Sequence, residues 1–356
     1  VEYYDTTDAQ WWEIDYAPDP FVPSENFNTV LYTGNGGTKA ITGAGFEPDL
    51  VWTKSRNAVN RHQLFDSVRG ATYAIESDTT FSESYEPTAL TAFDTDGFSI
   101  GSSGNVNSSG TTYVAWCWKA GGAAVTIAAN TVGNTIASDV SANVNAGFSI
   151  VKYTGNSTIP STVAHGLDSA PELIMVKVLN QSYPWNVFSA SIGNTKYLKL
   201  NETSAEATQI SRWNNTSPTS AVFTIGNDGD VNGNGLNYIA YAFHSVAGYS
   251  KMGSYVGNGS ATGPIVTLGF EPAWVMIKRT DAGAAWCIFD SARNTTNSRY
   301  NLLQAQDSAA ELDLLNLYGL NGVDFLSTSF QLKDANTSRN ANGGTYIFMA
   351  FATNPT

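Results

Sequence analysis

One ten-residue phrase occurs three times in the chain and constrains the fold more than any other feature. It reads GFEPDLVWTK at residues 45–54, GFEPAWVMIK at residues 269–278 and, more loosely, GLDSAPELIMVK at residues 166–177. Each copy is a turn rich in glycine, proline and acidic residues, followed by a short apolar run and a lysine. Proline fixes φ and cannot donate to a β-ladder, so the turn must precede the strand. A continuous apolar run of strand length predicts an inner strand of a sandwich, with both faces covered.

The surroundings of the phrase repeat in the same order, which predicts a repeated structural unit. A short strand entering a turn precedes each phrase, and an aromatic strand and a closing strand follow it. The closing strands lie at residues 110–116, 235–241 and 344–351. We expect the three units to superpose strand for strand, with Val51, Met175 and Val275 at equivalent buried positions.

Length and composition favour three small cores over one large core. The 356 residues are enough for three domains of roughly 100 residues each. Thirty-two glycines, 12% aromatic residues and only 14% charged residues are typical of short strands joined by tight turns. The sequence therefore predicts an all-β fold of three tandem β-sandwich domains of jelly-roll type. Residues 302–317 form the best helical stretch, and a short helix and an irregular connection are equally compatible with them.

The predicted boundaries follow the repeat. Residues 1–26 form a short N-terminal extended arm, and the three sandwiches comprise residues 27–120, 147–244 and 245–356. Residues 121–146 are either a linker or a pair of edge strands, because their alternation is weak. The join at residues 244–248 is short, so we expect a fixed orientation between the second and third sandwiches. Trp11, Trp12 and Tyr16 in the arm need a covering surface, on the first unit or on a neighbouring subunit.

The net charge of −13 excludes two classes of partner. Neither nucleic acid nor an anionic membrane attracts so acidic a chain, so the partner is neutral or another protein. No leader peptide and no apolar stretch of spanning length is evident. Cys117 and Cys287 lie at non-equivalent positions of the repeat, which predicts two buried, reduced thiols and folding in a reducing cytoplasm.

Several stretches imitate catalytic or metal-binding motifs. Residues 97–101 satisfy G-x-S-x-G, but no helix pattern follows, so a coincidence at a strand end is the better interpretation. Asp228 and Asp230 open a partial calcium-loop motif whose twelfth position is Ile239 rather than glutamate. A plain hairpin turn is favoured there, and calcium stays open. His62, His165 and His244 are too far apart in the repeat for a metal set, and no cofactor or metal is predicted.

An Asp-x-x-Arg pair follows the aromatic strand in two units, as Asp66 with Arg69 and Asp290 with Arg293. Such a pair is either a partly exposed salt bridge that holds a turn or, less commonly, a site that orients a sugar hydroxyl. The middle unit has Ser189 and Ile192 instead.

The phrases at residues 45–54, 64–70, 113–119, 147–155 and 248–255 resemble a family of repeated lectin-like modules. The family occurs in virion proteins of tailed bacteriophages, notably marine ones, and the resemblance covers nearly the whole chain from Val30. It implies concanavalin-like β-sandwiches on the outside of a phage particle that is assembled in the host cytoplasm. The family has no mapped sites, so no functional residues can be carried over from it.

The resemblance implies a virion structural protein, most simply a tail fibre or other surface appendage that binds a host-cell glycan or protein. The alternative is a capsid decoration or fibre-shaft protein that binds only neighbouring virion subunits. An enzyme is not expected, because no acidic pair recurs among the units outside turns. The expected partners are other virion subunits and further copies of this chain in a homo-oligomer, most simply a trimer, because avidity lets weak sites act together.

Binding residues are expected where the three units differ most, because end loops vary on a rigid scaffold. These segments are residues 73–91, 201–220 and 294–326. Within them Tyr85, Trp213 and Tyr300 are candidate ligand-binding residues, since each offers a flat apolar face of the kind that stacks on a sugar ring. The alternative for each is an aromatic residue that belongs to a small core under a long loop.

Overall fold

The computed structural model describes residues 21–352 and the backbone of residues 2–4 and 11–13. In the arm, β1 (Glu2–Tyr4) pairs antiparallel with β2 (Trp11–Glu13). The predicted contacts of the Trp11, Trp12 and Tyr16 side chains lie outside the described residues. Phe21 packs edge-on against Tyr249, with 5.0 Å between ring centroids, so the end of the arm contacts the third unit.

Unit 1 is the segment of residues 27–120. Its elements are β3 (Phe27–Thr33), β4 (Lys39–Thr42), β5 (Leu50–Ser55), β6 (Gln63–Asp66), β7 (Tyr73–Ala74), β8 (Ser84–Tyr85), β9 (Leu90–Asp94), β10 (Gly97–Ile100), α1 (Gly104–Asn107) and β11 (Thr112–Trp118). They form a four-stranded sheet in the order β3-β11-β5-β6, a three-stranded sheet in the order β4-β10-β9 and the small hairpin β7-β8. All pairings are antiparallel.

Unit 2 is the segment of residues 121–244. Its elements are β12 (Val125–Ile127), β13 (Ser138–Asn143), β14 (Phe148–Thr154), β15 (Ser161–Ala164), β16 (Leu173–Val178), β17 (Asn186–Ser189), β18 (Lys196–Tyr197), β19 (Ala207–Thr208), α2 (Ile210–Trp213), β20 (Val222–Ile225), α3 (Gly229–Asn232) and β21 (Asn237–Phe243). The main sheet has the order β12-β13-β14-β21-β16-β17, and β15-β20 and β18-β19 pair separately. Of the two alternatives for residues 121–146, edge strands are the one observed.

Unit 3 is the segment of residues 245–352. Its elements are β22 (Ser250–Val256), β23 (Ile265–Thr267), β24 (Trp274–Arg279), β25 (Trp286–Asp290), β26 (Asn301–Gln304), β27 (Leu312–Asp313), α4 (Leu314–Tyr318), β28 (Val323–Leu326), β29 (Ser329–Leu332), α5 (Thr337–Asn340) and β30 (Thr345–Phe351). The sheets are β22-β30-β24-β25-β26-β27 and β23-β29-β28. Residues 302–317 therefore contain two strands and one short helix, a mixture that neither alternative anticipated.

The repeated phrase forms the inner strands β5, β16 and β24, and the prediction that both faces are covered is confirmed. Every residue of β5 and β16 is buried. Val51, Ile174 and Val275 point into the separate core of their own unit. They pair with Cys117, Ala242 and Ala350 of the closing strands, which makes these three residues equivalent.

The predicted equivalence of Met175 with Val51 and Val275 is wrong by one residue. Met175 is buried, but it faces the opposite side of the sheet, as Trp52 and Met276 do. A one-residue error in register moves a side chain to the other face because strands have a period of two. The looser second copy of the phrase contains two additional residues in its turn, and this caused the misalignment.

A central core shared by all three units covers the second face of each inner sheet. Phe351 of unit 3 lies 5.2 Å from Phe27 of unit 1 and 6.0 Å from Phe243 of unit 2, measured between ring centroids. The larger members from each unit include Trp52, Trp116, Trp118, Phe148, Trp185, Tyr241, Trp274 and Trp286. Residues 21–352 thus form three peripheral cores and one central core, and each unit depends on the other two to cover its inner face.

Three equivalent backbone hydrogen bonds close the units into a ring. The amide of Glu83 donates to Leu179 O at 2.8 Å, that of Glu206 to Thr280 O at 2.8 Å, and that of Glu311 to Arg56 O at 2.7 Å. The contacts run from unit 1 to unit 2, from unit 2 to unit 3 and from unit 3 back to unit 1. The expected fixed orientation of the second and third units therefore holds for every pair of units.

Candidate functional site

The three predicted ligand-binding residues lie in very different surroundings. Trp213 is the last residue of α2 and only 1% exposed, and its ring packs edge-on against Phe188 at 5.8 Å. The prediction for Trp213 is therefore wrong, because the helix turns the indole into the peripheral core of unit 2. Tyr300 is half-buried and packs at the edge of the unit 3 core. Tyr85 is 64% exposed.

Part of each divergent segment is occupied by contacts between units. Glu83, Glu206 and Glu311, which close the ring, all lie within the segments predicted to carry binding residues. Sequence divergence in these segments thus reflects in part the different neighbours that each unit meets. Only the remaining portions of the segments are available to a ligand.

The available portion of unit 1 carries a cluster of exposed aromatic residues, which we call the aromatic hairpin and define as Tyr73, Phe81 and Tyr85. Tyr73 and Tyr85 lie directly opposite each other in the β7-β8 pair, with ring centroids 5.5 Å apart and planes inclined by 51°. Tyr73 is 38% and Phe81 53% exposed. At the equivalent positions unit 2 pairs Lys196 with Thr208, and unit 3 pairs Asn301 with Asp313, so these units lack the aromatic pair.

The aromatic hairpin is held in place on both sides. Leu64 and Ile75 exchange backbone hydrogen bonds of 2.8 and 3.1 Å, which fix the hairpin to β6. Arg69 Nη1 donates to Tyr73 O at 3.0 Å, and Glu83 is bonded to unit 2 as described above. The two tyrosine rings are therefore presented by a rigid scaffold, and little conformational entropy is lost when they bind a ligand.

Polar groups lie near Phe81, the third residue of the aromatic hairpin. The Arg61 guanidinium lies 4.7 Å from the centroid of the Phe81 ring and pairs with Glu76 at 3.2 Å. Thr79 Oγ1 also donates to Glu76, at 3.0 Å. Burial raises the pKa of Asp78, next to these groups, to about 6. The combination of exposed flat rings with hydroxyl, carboxylate and guanidinium groups suits a ligand that has apolar faces and many hydroxyls, as sugars do.

The two Asp-x-x-Arg pairs are buried, which corrects the prediction of partly exposed salt bridges. Arg69 Nε lies 2.5 Å from Asp66 Oδ2, and Arg293 Nε lies 2.5 Å from Asp290 Oδ2. All four side chains are 1% exposed or less. A sugar cannot reach either pair in this fold, so the alternative interpretation as a sugar site is removed as well.

Each buried pair accepts a hydrogen bond from the closing strand of another unit. Tyr241 Oη of unit 2 donates to Asp66 Oδ2 at 2.7 Å, and Trp116 Nε1 of unit 1 donates to Asp290 Oδ2 at 3.0 Å. A glutamate of the ring contacts completes each cluster, with Glu83 on Arg69 at 3.1 Å and Glu311 on Arg293 at 3.0 Å. These pairs hold units together. The three glutamates each lie eight residues after the residue that pairs with the aromatic strand, namely Ile75, Leu198 and Leu303, and this recurrence is the sequence signal for the contacts between units.

The polar residues of the partial calcium loop and of the G-x-S-x-G stretch bind other side chains of the protein. Asp228 and Asp230 both pair with Arg212, the latter at 2.6 Å. Within residues 21–352, the structure places no three His, Cys, Asp or Glu side chains where they could hold a metal ion. Ser99 Oγ donates to Asp94 at 2.7 Å. Cys117 and Cys287 are free and buried, which confirms the prediction for both thiols.

A protein-family comparison covers all three units. A family described as a domain of unknown function (DUF7483) matches residues 22–355. The chain belongs to this family. The match spans all three units without a break, and this agrees with a central core that no unit can cover alone. No curated protein matches the chain. Across the part of the chain that the structure describes, no helix has the length and apolar character needed to cross a membrane.

Proposed function

We propose that the protein is a virion structural protein of a tailed bacteriophage, a tail fibre or other surface appendage that binds a host-cell glycan. In this proposal three tandem β-sandwich domains of jelly-roll, concanavalin-like type form one rigid block, and the aromatic hairpin is the glycan-binding site. The block binds without catalysing a reaction. It is made in the host cytoplasm and functions on the particle.

The observation that carries the proposal is the exposed, rigidly held pair of Tyr73 and Tyr85. Exposed aromatic pairs are costly to solubility, and a contiguous apolar surface marks an interaction site. Their partial exposure on a fixed hairpin leaves aromatic surface on which a sugar ring could stack. The net charge of −13 favours neutral glycans over acidic ones, because an acidic ligand would be repelled. The resemblance of the repeated phrases to phage virion modules supports the same assignment.

A glycan array tests this function directly. Wild-type protein and the Tyr85→Ala variant are compared with Ile210→Ala, a control on unit 2, because Ile210 is 60% exposed and lies in neither proposed site. We expect Tyr85→Ala to weaken glycan binding about tenfold, equivalent to about 1.4 kcal/mol. Thermal stability should stay unchanged in both variants. Equal binding by wild type and Tyr85→Ala, or an equal loss in Ile210→Ala, would contradict the aromatic hairpin as the site.

A second candidate function is a capsid decoration or fibre-shaft protein that binds only its neighbours. The observation that favours it is the short helix α4, on which Leu315, Leu317 and Tyr318 are exposed. Such a surface suits a protein partner. The glycan array distinguishes the two functions, because a purely structural protein binds no glycan.

We further propose that the chain associates with other virion subunits and with itself as a homotrimer. Three copies would present three aromatic hairpins, and the resulting avidity would compensate for weak individual sites. The mass in solution, measured by light scattering on the full chain, tests this part. A monomer over the whole concentration range would contradict it.

A further inference from the structure

Unit 3 contains a cavity of about 270 Å³ that we call the unit 3 cavity. Its apolar side is lined by Leu302, Leu312, Leu314 and Leu320. Its polar side, which we call the floor, is lined by Gln304, Asn336, Ser338 and Arg339, together with Cys287. Tyr318, which is largely exposed, forms part of the lining. The unit 3 cavity is distinct from the aromatic hairpin, which lies on unit 1.

The floor of the unit 3 cavity differs from the equivalent positions of the other units. Asn107, Asn232 and Asn340 are equivalent, since each side-chain amide donates to the backbone carbonyl six residues earlier, at 2.7, 2.7 and 2.8 Å. The residue before this asparagine is Val106 in unit 1, Val231 in unit 2 and Arg339 in unit 3, all buried.

The residue that supplies the carbonyl changes in the same way. It is Gly101 in unit 1, Gly226 in unit 2 and Asp334 in unit 3. A glycine and valine pair has thus been replaced by a buried aspartate and arginine pair. The two changes occur together and only in unit 3.

Backbone packing explains why units 1 and 2 have glycine at the position of Asp334. A Cβ atom at Gly101 would lie 2.6 Å from Thr88 O, and one at Gly226 would collide with Ser211 O. In units 1 and 2 the covering backbone therefore lies directly on the glycine. In unit 3 Asp334 stands at this position, and its carboxylate accepts from Gly322 N at 2.9 Å and from Arg339, which lines the cavity.

Fold stability does not account for the pair of Asp334 and Arg339. Arg339 donates from Nε at 3.2 Å and from Nη2 at 2.5 Å, both to Asp334 Oδ2. A buried ion pair is usually no more stabilising than the apolar residues it replaces, and units 1 and 2 have an apolar residue at this position. Buried charges that line a cavity are typical of binding sites.

The chemistry of the lining limits the ligand. The ion pair has no net charge, so a charged ligand would lack a counter-ion at the floor. The guanidinium and the Asn336 amide offer N–H donors to an acceptor such as a carbonyl, while the four leucines suit a methyl group and C–H faces. The volume lies just below the range of about 300–1,000 Å³ for drug-sized ligands, which indicates a single small ring.

We propose that the unit 3 cavity binds one uncharged sugar ring bearing an acylamino substituent. The substituent carbonyl accepts hydrogen bonds from the Arg339 and Asn336 side chains, and its methyl group contacts the leucine wall. Tyr318 covers the ring at the edge of the cavity. This site is independent of the aromatic hairpin and does not require the proposed function to be correct.

The test is a calorimetric titration of the full chain with N-acetylglucosamine as the probe. Leu320→Trp fills the cavity, and Leu317→Trp adds the same side chain on the exposed side of α4, where Leu317 is 57% exposed. We expect at least a tenfold weaker affinity in Leu320→Trp and a change below twofold in Leu317→Trp. Absence of saturable binding to wild type, or equal affinity in Leu320→Trp, overturns the proposal.

Two further arms identify the ligand chemistry and the location. The double variant Asp334→Gly with Arg339→Val restores the residues of units 1 and 2 and should abolish binding; if it fails to fold, the Leu320→Trp result decides. Glucose should bind at least tenfold more weakly than N-acetylglucosamine, and equal affinity overturns the acylamino assignment. Loss of binding in Tyr85→Ala with full binding in Leu320→Trp would assign the sugar to the aromatic hairpin and overturn the cavity.

Discussion

Two of the three contacts between units bury a charged cluster, whereas the third is apolar at the same position. Asp66 and Arg69 of unit 1 face Tyr241 of unit 2, and Asp290 and Arg293 of unit 3 face Trp116 of unit 1. Both Asp–Arg pairs are fully buried. At the third contact the equivalents of the ion pair are Ser189 and Ile192 of unit 2.

At the third contact, the residue that faces Ser189 and Ile192 also differs from its equivalents at the two charged contacts. The equivalent of Trp116 and Tyr241 in unit 3 is Met349, which has no N–H or O–H to donate. The ion pair and its hydrogen-bond donor are thus present together or absent together. This is the behaviour expected of buried polar networks, in which a half-satisfied network is worse than an apolar contact.

The largest expected effect comes from breaking one charged cluster. Asp290→Ala leaves the Arg293 guanidinium buried without its main partner and removes the acceptor of the Trp116 indole. Removal of one partner of a buried ion pair costs about 3–5 kcal/mol. We expect a loss of that size in the free energy of unfolding, measured by urea denaturation. Ser189→Ala, at the equivalent position of unit 2, is the control and should change it by less than 1 kcal/mol.

A second comparison concerns the aromatic strand, where unit 1 has a titratable residue and the other units have tryptophan. Trp185 Nε1 donates to Glu76 O at 2.8 Å, and Trp286 Nε1 donates to Lys199 O at 2.9 Å, both across units. The equivalent residue of unit 1 is His62, which accepts from Trp52 Nε1 at 2.8 Å. Burial lowers the pKa of His62 well below its ordinary value, and the backbone of Gln304 from unit 3 opposes this shift.

This difference predicts sensitivity to acid. Below about pH 6.5 the unfolded chain binds a proton at His62 that the folded chain does not bind, so stability falls as the pH falls. The expected slope is at most about 1.4 kcal/mol per pH unit. His62→Gln keeps an acceptor for Trp52 without titrating, and it should reduce the slope of unfolding free energy against pH between pH 6 and 5. An unchanged slope would show that His62 does not couple protonation to folding.

Burial also lowers the pKa of His165, to about 4. Part of the slope therefore remains in the His62→Gln variant. His165→Gln alone should reduce the slope by a similar amount in the same measurement, and the two reductions should add because the residues belong to different units.

The smallest net change in the free energy of unfolding is expected when a charged contact between units is converted into the apolar type found between units 2 and 3. The triple variant Asp66→Ser, Arg69→Ile and Tyr241→Met copies the residues of units 2 and 3 into the contact between units 1 and 2. Replacement of a whole buried network by apolar groups is often nearly neutral, so we expect unfolding free energy within about 2 kcal/mol of wild type. Asp66→Ser alone should cost more than the triple variant. A triple variant that is less stable than the single one would mean that the cluster adds stability beyond satisfying its own charges.

The sequence by itself determined the repeated pattern of this protein. The continuous apolar runs before Lys54, Lys177 and Lys278 specify strands covered on both faces. The hydrophobic pattern of a few adjacent residues is enough to show whether one or both faces of a strand are buried. The non-equivalent places of Cys117 and Cys287 were enough to predict two unpaired thiols. The all-β character follows from many short runs separated by turn residues.

Only the tertiary structure decided what covers each buried face. The second face of each inner strand is covered by residues distant in the sequence, such as Trp116 against Trp274, and no local pattern encodes such a contact. The same limit explains why Asp66 and Arg69 are enclosed and why Trp213 points inward while Tyr85 points outward. Exposure of a side chain depends on which distant segment packs over it. In this protein, the arrangement of the three units in a ring decides which side chains of the divergent segments are covered.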